Sequence, residues 1–347
     1  MQRLITQVEQ GRVPDALVRA GIRRLLNERL QEEGGDCEQR NERLFALLDA
    51  MAASPLALST ETANEQHYEL PPGFFETVLG PRLKYSCCLY PNGDETLAEA
   101  EEVMLRVTCE RAGLVDGQRV LELGCGWGSL SLWMAEHYPR SRITAVSNSA
   151  PQRAFIEARM QARGLDNLEI ITTDMNDFRT ERRFDRVVSL EMFEHMRNWS
   201  LLFSRIHDWL VPGGQLFFHV FCHRELAYVF RTEGEHDWMG RFFFTDGLMP
   251  SDNLPLFFQD ALRIRRRWRV NGRHYERTCN HWLGRMDAAR AQIEPVFADV
   301  YGADQVTCWI NRWRVFFMAC AELFGFRGGD EWHVSHYLFE RPNGGER

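Results

Sequence analysis

The sequence predicts an α/β fold, a doubly wound and mostly parallel seven-stranded sheet covered by helices on both faces, and three observations predict it. From Arg119 onward, short runs rich in β-branched and aromatic residues alternate with stretches of helical periodicity. The first run leads straight into a glycine-rich turn that opens a helix. Strand, helix and strand repeated in this order need parallel pairing through right-handed crossovers, which place helices on both sides of the sheet.

The candidate strands are RVLELG (119–124), RITAVS (142–147), LEIITT (168–173), FDRVVSLE (184–191) and QLFFHVFC (215–222). The helices expected between them are Ser129–His137, Pro151–Arg163 and Glu194–Leu210. Together they define a Rossmann-like core over 100–222. Residues 1–99 form a helical N-terminal extension and a segment covering the ligand. Within it, Leu17, Val18, Ile22, Leu25, Leu26 and Leu30 recur at helical spacing, which predicts an amphipathic helix over Pro14–Leu30 that packs on the body. The segment GGDCEQRNE (34–42) reads as a loop and Asn41–Ala53 as a second helix.

After the fifth strand the rhythm breaks. Residues 223–262 are dense in aromatics, among them Tyr228, Phe230, Trp238 and Phe242–Phe244, and are interrupted by Gly and Pro, which predicts a cap inserted over the substrate site. The remainder, 263–347, supplies the last strands and C-terminal helices. RIRRRWRV (263–270) alternates Arg with Ile, Trp and Val and reads as an edge strand with one solvated face. HYERTCNHWLGRMDAARAQI (274–293) reads as one helix, CWINRWRVFFMACAELFGF as a longer one ending near Gly325, and WHVSHYLFE (332–340) as a closing strand.

Composition sets bounds on function. A formal charge of −8 over 347 residues argues against a general nucleic-acid binder. The nine cysteines are scattered without a CxxC pair, which fits a reducing compartment, and no signal peptide or membrane-length apolar run is evident, so a cytoplasmic location is expected. His207, His223 and His236 show no metal-ligand spacing, and no metal is expected. The N-terminal helix could pack within one subunit or between two, which leaves a homodimer open.

VLELGCGWGSL (120–130) is the strongest chemical signal. Gly124, Gly126 and Gly128 permit the backbone to approach a ligand closely, and the following helix offers uncapped N–H groups. Those groups suit the methionyl carboxylate of S-adenosylmethionine (SAM). The spacing is GxGxG, with Ser129 where a dinucleotide fingerprint has its third spaced glycine, so a nicotinamide cofactor is disfavoured. Glu122 either orients the ligand's amino group or caps the turn. Asn148 and Gln152, at the end of the second strand, stand where an acidic residue often meets ribose hydroxyls. Asp174 is placed to accept from an adenine amino group, and Met175 to pack on the ring.

YSCCLY (85–90), LELGCGWGS (121–129), SNSAPQ (147–152) and EMFEHM (191–196) resemble the cyclopropane fatty-acid synthase superfamily. EMFEHMRNW, FHVFCHRELAYVF, FFFTDGLMPSDNL, VNGRHYERT and WRVFFMACAELFGF resemble more closely its coclaurine N-methyltransferase branch, and the likeness runs from Leu70 to Glu340. The resemblance implies a class I SAM-dependent methyltransferase. It implies that Tyr85 and Ser86 close over the methionyl end and that Trp127 lines the cofactor channel, where an aromatic face also suits a sulfonium cation. In the N-methyltransferase branch it assigns Glu191, Glu194 and His195 to the substrate amine. In the cyclopropane-forming branch it places Cys87, Glu194, His219 and Tyr275 around a bicarbonate ion. The expected substrate is a small aromatic or cyclic amine. The alternative is a phospholipid acyl chain, with bicarbonate as base and the membrane surface as partner through the arginine-rich strand.

Overall fold

The computed structural model describes residues 2–58, 70–230, 232 and 238–343. His236 lies outside the described residues. Among them the elements run α1 (Gln2–Glu9), α2 (Asp15–Glu33), α3 (Cys37–Ala53), α4 (Pro72–Val78), α5 (Leu97–Arg111), β1 (Arg119–Leu123), α6 (Ser129–His137), β2 (Arg142–Ser147), α7 (Ala150–Arg163), β3 (Leu168–Thr172) and β4 (Phe184–Leu190). They continue with α8 (Trp199–Trp209), β5 (Leu210–His223), β6 (Tyr228–Val229), α9 (Trp238–Phe242), β7 (Leu248–Met249), β8 (Arg263–Val270), α10 (Arg273–Ala288), α11 (Arg290–Tyr301), α12 (Val306–Gly325) and β9 (Trp332–Glu340).

The main sheet has seven strands in the order β3-β2-β1-β4-β5-β9-β8. β1 to β5 are parallel, and β9 inserts antiparallel between β5 and β8. The central strands are buried on both faces, as helices on both sides require. β8 lies at the edge with Arg263, Arg265, Arg266 and Arg269 exposed, and such charges oppose edge-to-edge pairing with another sheet. Reversal of strand order beside β1 opens a crevice at the carboxyl ends of the parallel strands, where the turns after β1, β2, β3 and β4 converge.

Three helical expectations are corrected. The loop expected over 34–42 is mostly helix: Asp36 accepts from the Gln39 N–H and Gln39 reaches back to the Asp36 N–H, a capping box that starts α3 at Cys37. The single helix expected over Glu194–Leu210 is two pieces. A 3-10 turn at Phe193–His195 ends at Met196, and α8 begins anew at Trp199 because the Asn198 side chain caps it by accepting from Leu201 N–H at 2.9 Å. The helix expected over 274–293 also breaks, at Ala289, whose carbonyl accepts from Gln292 and Ile293 at the start of α11. Trp282, Leu283 and Met286 before the break and Ile293 and Phe297 after it are all buried, so periodicity runs across it unmarked.

The N-terminal stripe packs in part. Val18, Ile22, Leu26 and Leu30 rest against the core that α10 and α12 share, whereas Leu17 and Leu25 are exposed. None of the described helices is long and apolar enough to cross a membrane.

Candidate active site

One cleft occupies the crevice, enclosing about 1080 Å³ of non-protein space that is partly open to solvent. Its floor is the turn after β1. Gly124 has φ 76° and Gly126 φ 52°, values that L side chains resist. A Cβ on Gly124 would stand 2.7 Å from the Met192 side chain, whereas one on Gly126 would meet no protein atom within 4 Å and would project into open space. The Gly124 and Cys125 N–H groups are tied to the Val146 carbonyl, which fixes the turn to β2. Gly128 at the head of α6 provides no side-chain cap, so the helix presents its N–H groups, as an anionic ligand group needs.

Around this turn stand most of the residues expected to hold a cofactor: Tyr85, Ser86, Glu122, Trp127, Asn148, Gln152 and Met175 all line the cleft. Glu122 is buried, accepts from the Ser131 hydroxyl, and is raised by burial to about 7. Gln152 Oε1 accepts from the Ser147 hydroxyl at 2.7 Å, while its Nε2 is buried without a protein partner among the described residues; the Trp127 Nε1 is likewise orphaned. Two unsatisfied buried donors beside a buried carboxylate fit a ligand carrying hydroxyl, carboxylate and ammonium groups. Asp174 departs from expectation. Its Oδ1 turns back to accept from Asn176 N–H at 2.7 Å, and its neighbours Thr173 and Met175 line the cleft instead.

The other half of the cleft follows β4. Glu191 takes φ 48°, a left-handed backbone rare outside glycine, with its N–H bonded to the His219 carbonyl. Its carboxylate collects three donors: Cys87 N–H at 3.0 Å, His219 Nε2 at 3.0 Å and Tyr275 OH at 2.6 Å. Burial raises Glu191, and the Lys84 ammonium and these donors oppose the rise; converging donors are what an ionised carboxylate requires. Cys87 contributes its backbone, since its thiol is buried, bonded to the Cys88 carbonyl, and raised well above the ordinary range by burial.

Glu194 and His195 differ sharply. Glu194 is fully buried off the cleft, with Oε1 accepting from Phe221 N–H at 2.8 Å and Oε2 without a protein partner among the described residues, and burial beside Glu191 raises it well above the ordinary carboxyl range. Through that bond Glu194 ties the turn after β4 to β5 directly behind the site. His195 lines the cleft; burial lowers it to about 4, so the ring is neutral and keeps a lone pair, and the nearby Glu191 charge opposes that lowering by favouring the protonated ring. Its ring sits 4.8 Å from Phe244 of the 223–262 segment, which brings that segment to the site.

Two participants were missed in the sequence. Lys84, fully buried, donates to the Ser86 hydroxyl and to the Cys87 carbonyl at 2.7 Å, tying the segment over the cofactor side to the donor that meets Glu191. Nothing marks this lysine locally. Phe244 was visible only as one aromatic among many. Among the described residues one trio of metal-ligand type, Cys222, Asp252 and His333, comes together. Asp252 there is satisfied by Ser335, Tyr337, Arg267 and Arg269, and two guanidiniums repel a cation.

A parallel sheet with this strand order, a glycine turn at the head of α6 and a buried carboxylate at the end of β1 define a class I SAM-dependent methyltransferase. The family model described as mycolic acid cyclopropane synthetase matches residues 58–334, and the chain belongs to that family. It is similar to the (S)-coclaurine N-methyltransferase of Thalictrum flavum subsp. glaucum, 38% identical over 97% of this chain and 95% of that one. It is similar also to the cyclopropane-fatty-acyl-phospholipid synthase of Escherichia coli K12, 30% identical over 78% of this chain and 66% of that one. Among solved structures, a coclaurine N-methyltransferase bound to N-methylheliamine and S-adenosylhomocysteine superposes with TM-score 0.94 at 36% identity, covering 98% of this chain and 99% of that one. The cyclopropane synthase MmaA2 from Mycobacterium tuberculosis shares the fold, with TM-score 0.69 at 22% identity over 83% of this chain and all of that one.

Proposed function

We propose that this enzyme N-methylates a small cyclic or aromatic amine, and one observation carries the reading: the Glu191 carboxylate itself occupies the donors that a bicarbonate would need. Cys87 N–H, His219 Nε2 and Tyr275 OH all point at Glu191. A bound anion has no place there while the side chain fills it. All three donors are neutral, so the carboxylate keeps its charge for a cationic amine. The relatives named above as N-methyltransferases, matched over nearly the full chain, support the same substrate class.

Bound SAM supplies an electrophilic methyl group on a sulfonium. The chain's own task is positional. Gly124, Gly126 and the head of α6 receive the methionyl carboxylate, Glu122 the ammonium, and Gln152 with Asn148 the ribose hydroxyls. Trp127 and Tyr85 flank the sulfonium. Glu191 draws in the substrate ammonium, and His195, within the same cleft, accepts the proton that the amine must lose before its lone pair can attack. Phe244 and the 223–262 cap cover a flat apolar ring from the far side. Residues 1–99 serve as an extension that closes over the cofactor, 100–222 as the SAM-binding core, and 263–347 complete the sheet. A cytoplasmic location suits nine free cysteines.

The test is an assay with methyl-labelled SAM, offering a panel of secondary amines beside anionic phospholipid vesicles, each with and without bicarbonate. Label is expected on amines whether or not bicarbonate is present. Bicarbonate-stimulated label in the acyl chains would overturn the reading.

A further inference from the structure

Behind Glu191 lies a row of three side chains from three elements, none of them used in the chemistry above except as a donor. His219 of β5 faces Glu191 through Nε2 at 3.0 Å. Its ring stacks on His336 of β9, with centroids 4.7 Å apart and planes 30° from parallel. His336 Nδ1 in turn lies 2.9 Å from Arg111 Nη1, in the last turn of α5. Both imidazoles are fully buried, while Arg111 is partly exposed, its guanidinium 5.3 Å over the ring of Trp268 on β8.

The hydrogen-bonding capacity of each group fixes the protons along this row. A guanidinium only donates, so His336 Nδ1 must carry a lone pair and the ring proton sits on Nε2. An ionised carboxylate only accepts, so His219 Nε2 carries a proton, and a second proton on Nδ1 would face no acceptor among the described residues. The two remaining ring nitrogens, His219 Nδ1 and His336 Nε2, are buried without a protein partner among the described residues, one an acceptor and the other a donor. An imidazolium at His336 would turn an N–H against the guanidinium and lose that bond. Burial foremost, together with the Lys84 and Arg111 cations, holds both rings well below the ordinary histidine range.

The neutrality of His219 matters at Glu191. A charged His219 would pair with the carboxylate and cancel the charge that faces the cleft. We propose that Arg111, whose fixed charge ends the stacked row and whose hydrogen bond holds His336 neutral, acts as a positioning residue that keeps His219 a neutral donor, so that Glu191 meets the substrate ammonium with its charge intact. The kinetic half of this inference rests on the amine reading of the site; the protonation half does not. The other titratable groups around the row are Lys84 and Cys87 from the segment before α5, Glu194 and His195 from the turn after β4, and Tyr275 from α10.

The experiment uses the full-length protein labelled with ¹⁵N-histidine, its ring nitrogens followed by long-range proton–nitrogen spectra and assigned with His219→Gln and His336→Gln. In the wild type both rings are expected to remain neutral and Nε2-protonated well below the ordinary histidine value of about 6.5. In Arg111→Met His219 should gain its second proton at a higher pH than in the wild type, and the KM for a secondary amine should rise about tenfold from pH 9 to pH 6 beyond the wild-type change, with kcat moving less. Arg111→Lys, which restores a cation, should recover part of both effects, and SAM affinity equal to wild type in both variants reports a folded protein. A His219 ring that titrates as in the wild type in Arg111→Met overturns the proposal, whatever His336 does. A His219 ring that gains the proton while the amine KM follows the wild type overturns it as well, and places the fault in the amine reading of Glu191.

Discussion

Glu191 holds a backbone conformation that glycine would hold with less strain, at φ 48°, where a side chain costs roughly 1 kcal/mol. The three donors on its carboxylate account for its keeping that conformation. Replacing it by glycine relieves the strain but leaves the Cys87 N–H, His219 Nε2 and Tyr275 OH converging on nothing. In Glu191→Gly, SAM affinity is expected to persist while amine methylation falls by about 10²-fold or more, the scale of a lost charged group in a reaction site. Millimolar formate, acetate or bicarbonate should then restore part of the rate by seating a small carboxylate on the same donors. A rate that no carboxylate recovers, in a variant that still binds SAM, would mean the donors do not form an anion cradle. Glu122 offers a second residue-scale test. Burial raises it to about 7, so near neutrality it is partly protonated in the free protein. A ligand ammonium favours the carboxylate, so binding should expel about half a proton at pH 7, and SAM affinity should weaken as pH falls through that range. Calorimetry in two buffers of different ionisation enthalpy reads the proton directly, and Glu122→Gln should abolish the dependence; proton-neutral binding by the wild type would remove Glu122 from ammonium recognition.

At the scale of elements, the turn after β1 was legible because all its determinants are neighbours in sequence: strand, acid, glycines and helix occur within Val120–Leu130. EMFEHM was legible as a site but not as a geometry. A strand ending at Glu191 followed by a continuous helix from Glu194 does not say where either carboxylate points. The cap at Asn198 instead leaves a 3-10 turn that sends Glu191 into the cleft and Glu194 toward the Phe221 N–H of β5. Lys84 and Arg111 were unreadable for a different reason: Lys84 bonds to nearby Ser86 and Cys87 but matters through Glu191, which β4 brings up to the Cys87 N–H, and Arg111 acts on His336 of distant β9. Asp252, at the exit of the cap, is a third such case. It accepts from Ser335 and Tyr337 of β9 through Oδ1 and from Arg269 of β8 at 2.7 Å through Oδ2, which clamps the cap segment across both antiparallel strands. These partners hold its carboxyl well below the ordinary range, so the clamp is present above about pH 4, the unfolded aspartate value, and weakens as pH falls below it. Asp252→Asn keeps the size but not the charge, and because both arginines are partly exposed the loss should be about 2 kcal/mol. Denaturant unfolding at pH 7 checks it, and a variant as stable as wild type would show that water satisfies the arginines as well as Asp252 does.

For the whole molecule, stability is unevenly distributed, and the N-terminal helices lie at its weak end. The central strands β1 and β2 are enclosed on both faces, whereas α2 contains no fully buried residue. What holds α1 and α2 to α12 is a partial apolar stripe, Val18, Ile22, Leu26 and Leu30, and a set of ion pairs. Arg19 and Arg23 share Glu322 at 2.9 and 2.6 Å, Arg314 reaches Asp15 at 2.7 Å, and Arg312 reaches Glu9 at 2.9 Å. Each exposed or half-exposed pair contributes only a few tenths of a kcal/mol to about 1 kcal/mol, but all act between the same elements. At 1 M salt the screening length falls to about 3 Å, short enough to weaken all of them together. Amide hydrogens of α2 should therefore exchange about tenfold faster in 1 M sodium chloride than in 0.1 M, a change of about 1.4 kcal/mol in local opening, while those of β1 and β4 keep their rates. Acceleration confined to α1 and α2 makes the extension an electrostatically latched unit over the α12 face. Exchange in α2 that ignores salt would assign its attachment to the apolar stripe alone, and the ion pairs would then fix only its register on α12.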